Sequence, residues 1–198
     1  LAGTNNYLGL TLEPDVVNSA KQALDHFGTG TTGSRMANGS YTAHAALERE
    51  LASAFDWPSA MVFSTGYQAN LATIATLADK DDFLLLDSDS HASLYDGAKH
   101  GSAQTVVFRH NDPENLDRRL ARLGADARRA LVVVEGLYSM LGDQPPLEEF
   151  VEVKKRHNAW LLLDEAHSFG VFGNKGLGLA EQAGVLGDVD FVVGTFSK

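Results

Sequence analysis

The sequence has no cysteine among its 198 residues. This excludes disulfides, thiolate metal sites and a cysteine nucleophile, and it suits a cytoplasmic setting. Basic residues are scarce: 16 Lys and Arg stand against 26 Asp and Glu, a formal net charge of −10. A nucleic-acid-binding surface needs a basic stripe to displace counterions from phosphate, so no nucleic-acid partner is expected. Long apolar runs are also missing. The longest are strand-length, well short of about 18 consecutive apolar residues, so neither a signal peptide nor a transmembrane segment is read. Hydrophobic residues nevertheless make up 44% of the chain, enough to bury a core, and the length fits one ordinary globular domain. No repeat, low-complexity segment or linker marks an internal boundary. Both ends read as cut from something longer: Leu1 opens inside a loop-like stretch and Lys198 closes a strand-turn unit.

Apolar spacing at Val16, Val17, Ala20, Leu24 and Phe27, with Pro14 placed for a first turn, predicts one helix. Leu47, Leu51 and Phe55 predict a second, and a glycine-rich loop lies between the two. From residue 59 the pattern changes to short apolar runs: Ala60–Phe63, Phe83–Leu86, Thr105–Phe108, Leu131–Val134, Trp160–Leu163 and Phe191–Val193. Amphipathic stretches at about 67–78, 93–100, 113–123, 146–157 and 178–184 separate them. Such alternation predicts an α/β fold, with crossover connections, a mostly parallel sheet and helices on both faces.

Asp164-Glu165-Ala166-His167 ends the Trp160–Leu163 strand, and the carboxyl edge of an open α/β sheet is where ligands bind. The same four letters serve as a magnesium-holding box in helicases, but that chemistry needs a G-x-x-x-x-G-K-[ST] phosphate loop, and no Gly-Lys-Ser or Gly-Lys-Thr occurs here. An aspartate capping the next turn is the plain alternative. A carboxylate there can also face a flat heteroaromatic cofactor and keep its ring nitrogen protonated. Gly28-Thr29-Gly30-Thr31-Thr32-Gly33 matches the dinucleotide pattern in letters only, because a helix rather than a strand precedes it; a flexible or ligand-facing loop is expected. Ser64-Thr65-Gly66-Tyr67-Gln68-Ala69-Asn70 opens a helix after a strand, where unpaired N–H groups suit a phosphate, although an ordinary Ser/Thr cap would look the same. His91, Ser139, Asp164 and Lys198 would all project from one sheet edge. A lysine leaving a buried strand can form a Schiff base, and Thr195 and Ser197 offer hydroxyls to a phosphate beside it.

Taken together, these stretches resemble the pyridoxal-phosphate-dependent α-oxoamine synthases of the fold-type I aminotransferase class. The likeness runs over essentially the whole chain, from Asn6-Tyr7-Leu8-Gly9-Leu10 to Gly194-Thr195-Phe196-Ser197-Lys198. Within the family, GTGTTGSRMANGSY, FSTGYQAN, SHASLYDG, FRHN, EGLYSMLGD and VGTFSK are most similar to the bacterial serine palmitoyltransferase branch. That branch tends to carry an arginine where this chain has Leu177.

The resemblance implies that pyridoxal 5'-phosphate is held as a Schiff base by Lys198, with Asp164 on the pyridine nitrogen. It implies that His167 and Ser139 contact the phenolic oxygen, that His91 stacks on the ring, and that Gly66, Tyr67, Thr195 and, more weakly, Ser197 bind the phosphate. Lys198, His91 and Asp164 would be the catalytic set, with no metal. The implied reaction condenses L-serine with a long-chain acyl-CoA, releasing carbon dioxide and giving 3-ketodihydrosphingosine, the first step of sphingolipid biosynthesis. The alternatives are a sister activity, 8-amino-7-oxononanoate synthase or 2-amino-3-ketobutyrate CoA ligase, and a non-catalytic scaffold subunit, which would be expected to lose the lysine. The family's small C-terminal domain, with the arginine for the substrate carboxylate, is expected beyond this segment. A cytoplasmic homodimer is expected too, touching membranes only peripherally through its lipid product.

Overall fold

The computed structural model describes residues 3–198, so the loop read at Leu1 falls outside the described residues. The chain divides into two compact units, one running to Val62 and including Lys198, the other Phe63–Ser197.

In the first unit, helix α1 (Pro14–Phe27) starts at the proline, whose missing N–H would have had no partner there anyway. Asp15 in its first turn and His26 in its last match the helix dipole. Helix α2 (Thr42–Phe55) follows the glycine-rich loop, and its start is closed by the Tyr41 N–H donating to His44 Nδ1 at 3.0 Å. The loop is pinned rather than slack. Arg35 Nη1 donates to Glu48 Oε1 at 2.6 Å and to the Val62 carbonyl at 2.7 Å, while Arg35 Nε donates to Ser40 Oγ at 3.2 Å. A side chain at Gly39 would put its Cβ 2.0 Å from the Gly33 carbonyl oxygen, so only glycine passes that crossing.

The strand expected over Ala60–Phe63 does not form. Val62 gives its N–H to Glu48 Oε1 at 2.9 Å and its carbonyl to Arg35, leaving neither group for a sheet ladder. Met61 is 71% exposed, so the apolar run is not the signature of burial that it resembles.

The second unit is a five-stranded sheet of β1 (Phe83–Asp87), β2 (Gln104–Phe108), β3 (Ala130–Glu135), β4 (Trp160–Asp164) and β5 (Phe191–Val193). The spatial order is β2-β1-β3-β4-β5, and every pairing is parallel. Side-chain alternation sends each strand into two cores. Leu84, Leu86, Leu131, Val133 and Leu162 pack with Ala69, Ile74 and Leu94 of α3 (Gly66–Leu77) and α4 (Ala92–His100). Leu85, Val132, Val134, Leu161 and Leu163 pack on the other face with α5 (Pro113–Leu123), α6 (Leu147–His157) and the short α7 (Leu179–Gln182). Helix α5 shows the cause plainly: Leu116 and Leu120 lie one turn apart on its buried stripe, each contributing about 2 kcal/mol of burial.

The chain leaves β1 toward β2 and returns on the opposite side as β3, so a crevice opens between the carboxyl ends of β1 and β3. Strand register aligns Glu135, Asp164 and Val193 along that edge. No helix among the described residues is long and apolar enough to cross a membrane.

Candidate active site

After β1 the chain turns through Asp87–Ser90 and enters α4 with His91 as its N-cap. The His91 backbone N–H donates to the Glu135 carboxylate at the end of β3, which fixes the residue across the crevice. Its ring Nδ1 lies 2.7 Å from Ser93 Oγ and 3.2 Å from the Ser93 N–H.

Asp164, at the end of β4, is only 4% exposed. Its Oδ1 accepts the Ala166 N–H at 2.9 Å, so the turn-capping reading holds for one oxygen. The other oxygen, Oδ2, is held by a different element: Asn70 Nδ2 of α3 donates to it at 2.7 Å. The same Asn70 nitrogen donates to Ser93 Oγ at 2.9 Å, so Asp164 and His91 are joined through two intermediate side chains. His167 lies buried in the turn after Asp164. Its neighbour Glu165 is buried as well and accepts from Ser168 Oγ, from the Leu179 N–H at 2.9 Å and from the Ala180 N–H at 2.9 Å. Burial pushes the Glu165 carboxyl above the usual range, and those hydrogen bonds offset part of the rise. Leu177 is buried in the segment leading to α7, with its N–H on Glu181 Oε2 at 2.9 Å, and serves packing there.

The start of α3 supplies a different chemistry. Thr65 Oγ1 accepts the Gln68 N–H at 3.1 Å, and the first helical N–H groups, Gly66 and Tyr67, have no carbonyl one turn back to bind. A Cβ at Gly66 would sit 3.2 Å from Thr195 Cβ and 3.4 Å from Thr195 Oγ1, so glycine keeps the space between them open. Thr195 Oγ1 is in turn 2.9 Å from Ser197 Oγ. Two hydroxyls and a helix N-terminus in one place make a cradle for an anionic group. The Tyr67 hydroxyl donates to the Asp96 carboxylate on α4, which pushes the phenol up and the Asp96 carboxyl down. Its backbone N–H, not its hydroxyl, is therefore what Tyr67 offers the cradle.

Gly66 and Asn70 are four residues apart on α3, about 6 Å along the axis. The helix thus carries at its start the residue that opens onto the cradle and, one turn on, the side chain that holds the buried carboxylate. A flat ring with an anionic tail at one end and a basic nitrogen at the other matches that donor set.

Ser139 sits exposed on the turn after β3, and among the described residues it makes no hydrogen bond to His91, Asp164 or Thr195. Its turn is held from behind by a network that sequence reading missed. The Tyr138 N–H donates to the Asp143 carbonyl at 3.0 Å, and the Gly142 N–H to the Tyr138 carbonyl at 2.8 Å. Asp143 Oδ2 is 3.0 Å from His110 Nε2, and His110 Nδ1 is 2.7 Å from Oδ1 of the fully buried Asp87. The His110 ring also meets Tyr138 edge-on, with centroids 4.5 Å apart. Burial opposes the His110 charge, but the bonds to Asp143 and Asp87 outweigh it and raise the imidazole above its ordinary value. One signal was available: FLLLD at the end of β1 repeats the WLLLD of β4, so a buried terminal aspartate was predictable twice. Asn70 and Ser93 were visible only as polar letters on otherwise buried helix faces.

A model of the family described as aminotransferase class I and II matches residues 2–198. A serine palmitoyltransferase of Caulobacter vibrioides is 57% identical over 198 residues, which are 100% of this chain and 49% of that protein. Among solved structures, a Sphingomonas wittichii serine palmitoyltransferase superposes with a TM-score of 0.95 at 59% identity, over 99% of this chain and 49% of that one. A lysine-to-alanine variant of S. paucimobilis serine palmitoyltransferase with a bound PLP–myriocin aldimine also gives a TM-score of 0.95, at 54% identity, over 98% of this chain and 49% of that one. The chain spans about half the length of these relatives. With its parallel sheet, its anion cradle at the α3 start and its buried Asp164 at the facing strand end, the chain belongs to the aminotransferase class I and II family.

Proposed function

We infer that the protein is a pyridoxal-phosphate-dependent acyltransferase that condenses L-serine with a long-chain acyl-CoA. The observation carrying this reading is that Gly66, which opens onto the hydroxyls of Thr195 and Ser197, stands one helical turn from Asn70, which holds the buried carboxylate of Asp164. When bound, the cofactor supplies an electron sink for the bonds around an amino acid's Cα.

The chain's own residues do the rest. Gly66 and Tyr67 N–H groups and the Thr195 and Ser197 hydroxyls bind the phosphate. Asp164 would hold a proton on the pyridine nitrogen, because a buried anion beside it favours the charged ring. His167 and Ser139 are assigned to the phenolic oxygen. Lys198, next in the chain after Ser197, would hold the cofactor through Nζ, and once the substrate amine has displaced it the free Nζ would take the proton from the serine Cα. His91 would face the cofactor and donate a hydrogen bond to the substrate carboxylate or to the oxyanion that develops on the thioester carbonyl. The balance is serine plus acyl-CoA giving the β-keto amine, carbon dioxide and free CoA. The serine palmitoyltransferase relatives support this choice of substrates. The same reading extends to a homodimer working in the cytoplasm and meeting membranes only peripherally.

The test is a product assay on the full-length protein with serine, glycine and alanine against acyl-CoAs from acetyl to stearoyl. Serine with palmitoyl-CoA should be preferred. Each enclosed methylene contributes about 0.8 kcal/mol, so shortening the chain by four carbons should lower kcat/KM by an amount corresponding to at most roughly 3 kcal/mol. Preference for glycine with acetyl-CoA, or for alanine with pimeloyl-CoA, assigns a sister activity instead. No condensation with any pair would reject the enzymatic reading.

A further inference from the structure

The side chains joining Asp164 to His91 have a fixed sense of donation. Asn70 Nδ2 carries two protons and meets two acceptors, Asp164 Oδ2 at 2.7 Å and Ser93 Oγ at 2.9 Å. The reverse orientation would set the amide oxygen against a buried carboxylate, so the donor sense is forced. Ser93 Oγ therefore accepts from Asn70, and its own proton is left for the ring nitrogen 2.7 Å away, His91 Nδ1. A second donor confirms the direction: the Ser93 backbone N–H, which can only donate, also points at Nδ1 from 3.2 Å. Nδ1 is thus the acceptor of two hydrogen bonds, and the ring's proton belongs on Nε2.

The geometry points to Asn70 and Ser93 as positioning residues that lock His91 in its neutral Nε2–H tautomer and tie that choice to the anionic Asp164. Their effect rests on the proposed function only in its consequence: Nε2–H makes His91 a hydrogen-bond donor on the nitrogen that has no hydrogen bond among the described residues, which is what a developing oxyanion requires. The tautomer itself is a property of the protein before anything binds. The relay also explains why a polar residue occupies the buried face of α3 beside Ala69 and Ile74. An alanine there would leave Asp164 Oδ2 and Ser93 Oγ buried with one partner fewer each.

The test is long-range proton–nitrogen NMR of the full-length protein labelled with 15N-histidine, stripped of cofactor and held near pH 8.5, above the ordinary histidine range. His91 is assigned by the signal lost in His91→Gln. The wild type should show the Nε2–H pattern. Ser93→Ala and Asn70→Ala should each raise the ratio of Nδ1–H to Nε2–H about fivefold, the change one net hydrogen bond commands, while Ser93→Thr, which keeps a hydroxyl, should hold it near wild type. In the loaded enzyme, Ser93→Ala should lower kcat by about tenfold with cofactor content unchanged. An Nδ1–H or mixed pattern in the wild type overturns the inference whether or not any variant folds, and so does an unchanged ratio in Ser93→Ala. A locked Nε2–H tautomer in a protein that makes no condensation product would instead reject the proposed function and leave the relay standing.

Discussion

Replacing His110 by alanine removes the bridge between Asp87 and Asp143, and the structure sets the size of the loss. The bond to Asp87 is the larger part, because that carboxylate is fully buried, where the Asp89 and Asn111 N–H groups, both at 2.9 Å, remain to it. Asp143 is 45% exposed, so water replaces most of what it loses. A hydrogen bond to a charged group is worth about 1.5–3 kcal/mol, which puts the variant roughly 2–3 kcal/mol below wild type and its Tm some 4–12 °C lower. The effect must depend on pH in one direction. His110 faces Asp87, Asp143 and, at 3.9 Å, Asp89, and the bonds to Asp143 and Asp87 raise it above its unfolded value despite its burial. A group that holds its proton more tightly when folded stabilises fully below its unfolded pKa and loses that contribution as pH rises through the folded one. Urea unfolding of the full-length wild type and His110→Ala should therefore show a wide stability gap near pH 6 and a narrower one near pH 9, the window above the ordinary histidine pKa of about 6.5. An equal gap at both pH values would refute the proton-linked bridge, and no gap at either would refute the role of His110 in holding the 138–143 turn.

Two further substitutions probe the cradle and its support. Gly66→Val should weaken pyridoxal phosphate binding at least about tenfold in a fluorescence titration, because its Cβ alone would already stand 3.2 Å from Thr195 and two methyls must go further; unchanged affinity would remove Gly66 from the phosphate site. Glu165→Gln should lower stability by about 1–3 kcal/mol and speed amide exchange at Leu179 and Ala180, since an amide nitrogen cannot accept the N–H groups that the carboxylate now takes. Unaltered exchange there would show that the α7 entrance is held by packing alone.

The parallel sheet was legible in the chain because five apolar runs, Phe83–Leu86 through Phe191–Val193, alternate with amphipathic stretches, and covalent order then dictates crossovers. Ala60–Phe63 has the same letters and formed no strand, since hydropathy does not record that Glu48 and Arg35 would claim the Val62 backbone first. Asp164 was readable as a strand-end carboxylate, and Gly66 as a helix opening beside a possible phosphate. What the sequence by itself determined is therefore local: which residue types stand at the carboxyl ends of strands and the amino ends of helices. Only the tertiary structure decided what each of them meets. Asp87 and Asp164 end near-identical strands, yet one is spent on His110 and the other is held by Asn70. The difference is strand position: β1 borders the loop carrying His110 after β2, whereas β4 lies between β3 and β5, whose following loops carry Ser139 and Thr195. Periodicity along the chain encodes which face a residue takes. It carries no information about which strand will lie alongside, because that is settled by contacts between segments tens of residues apart.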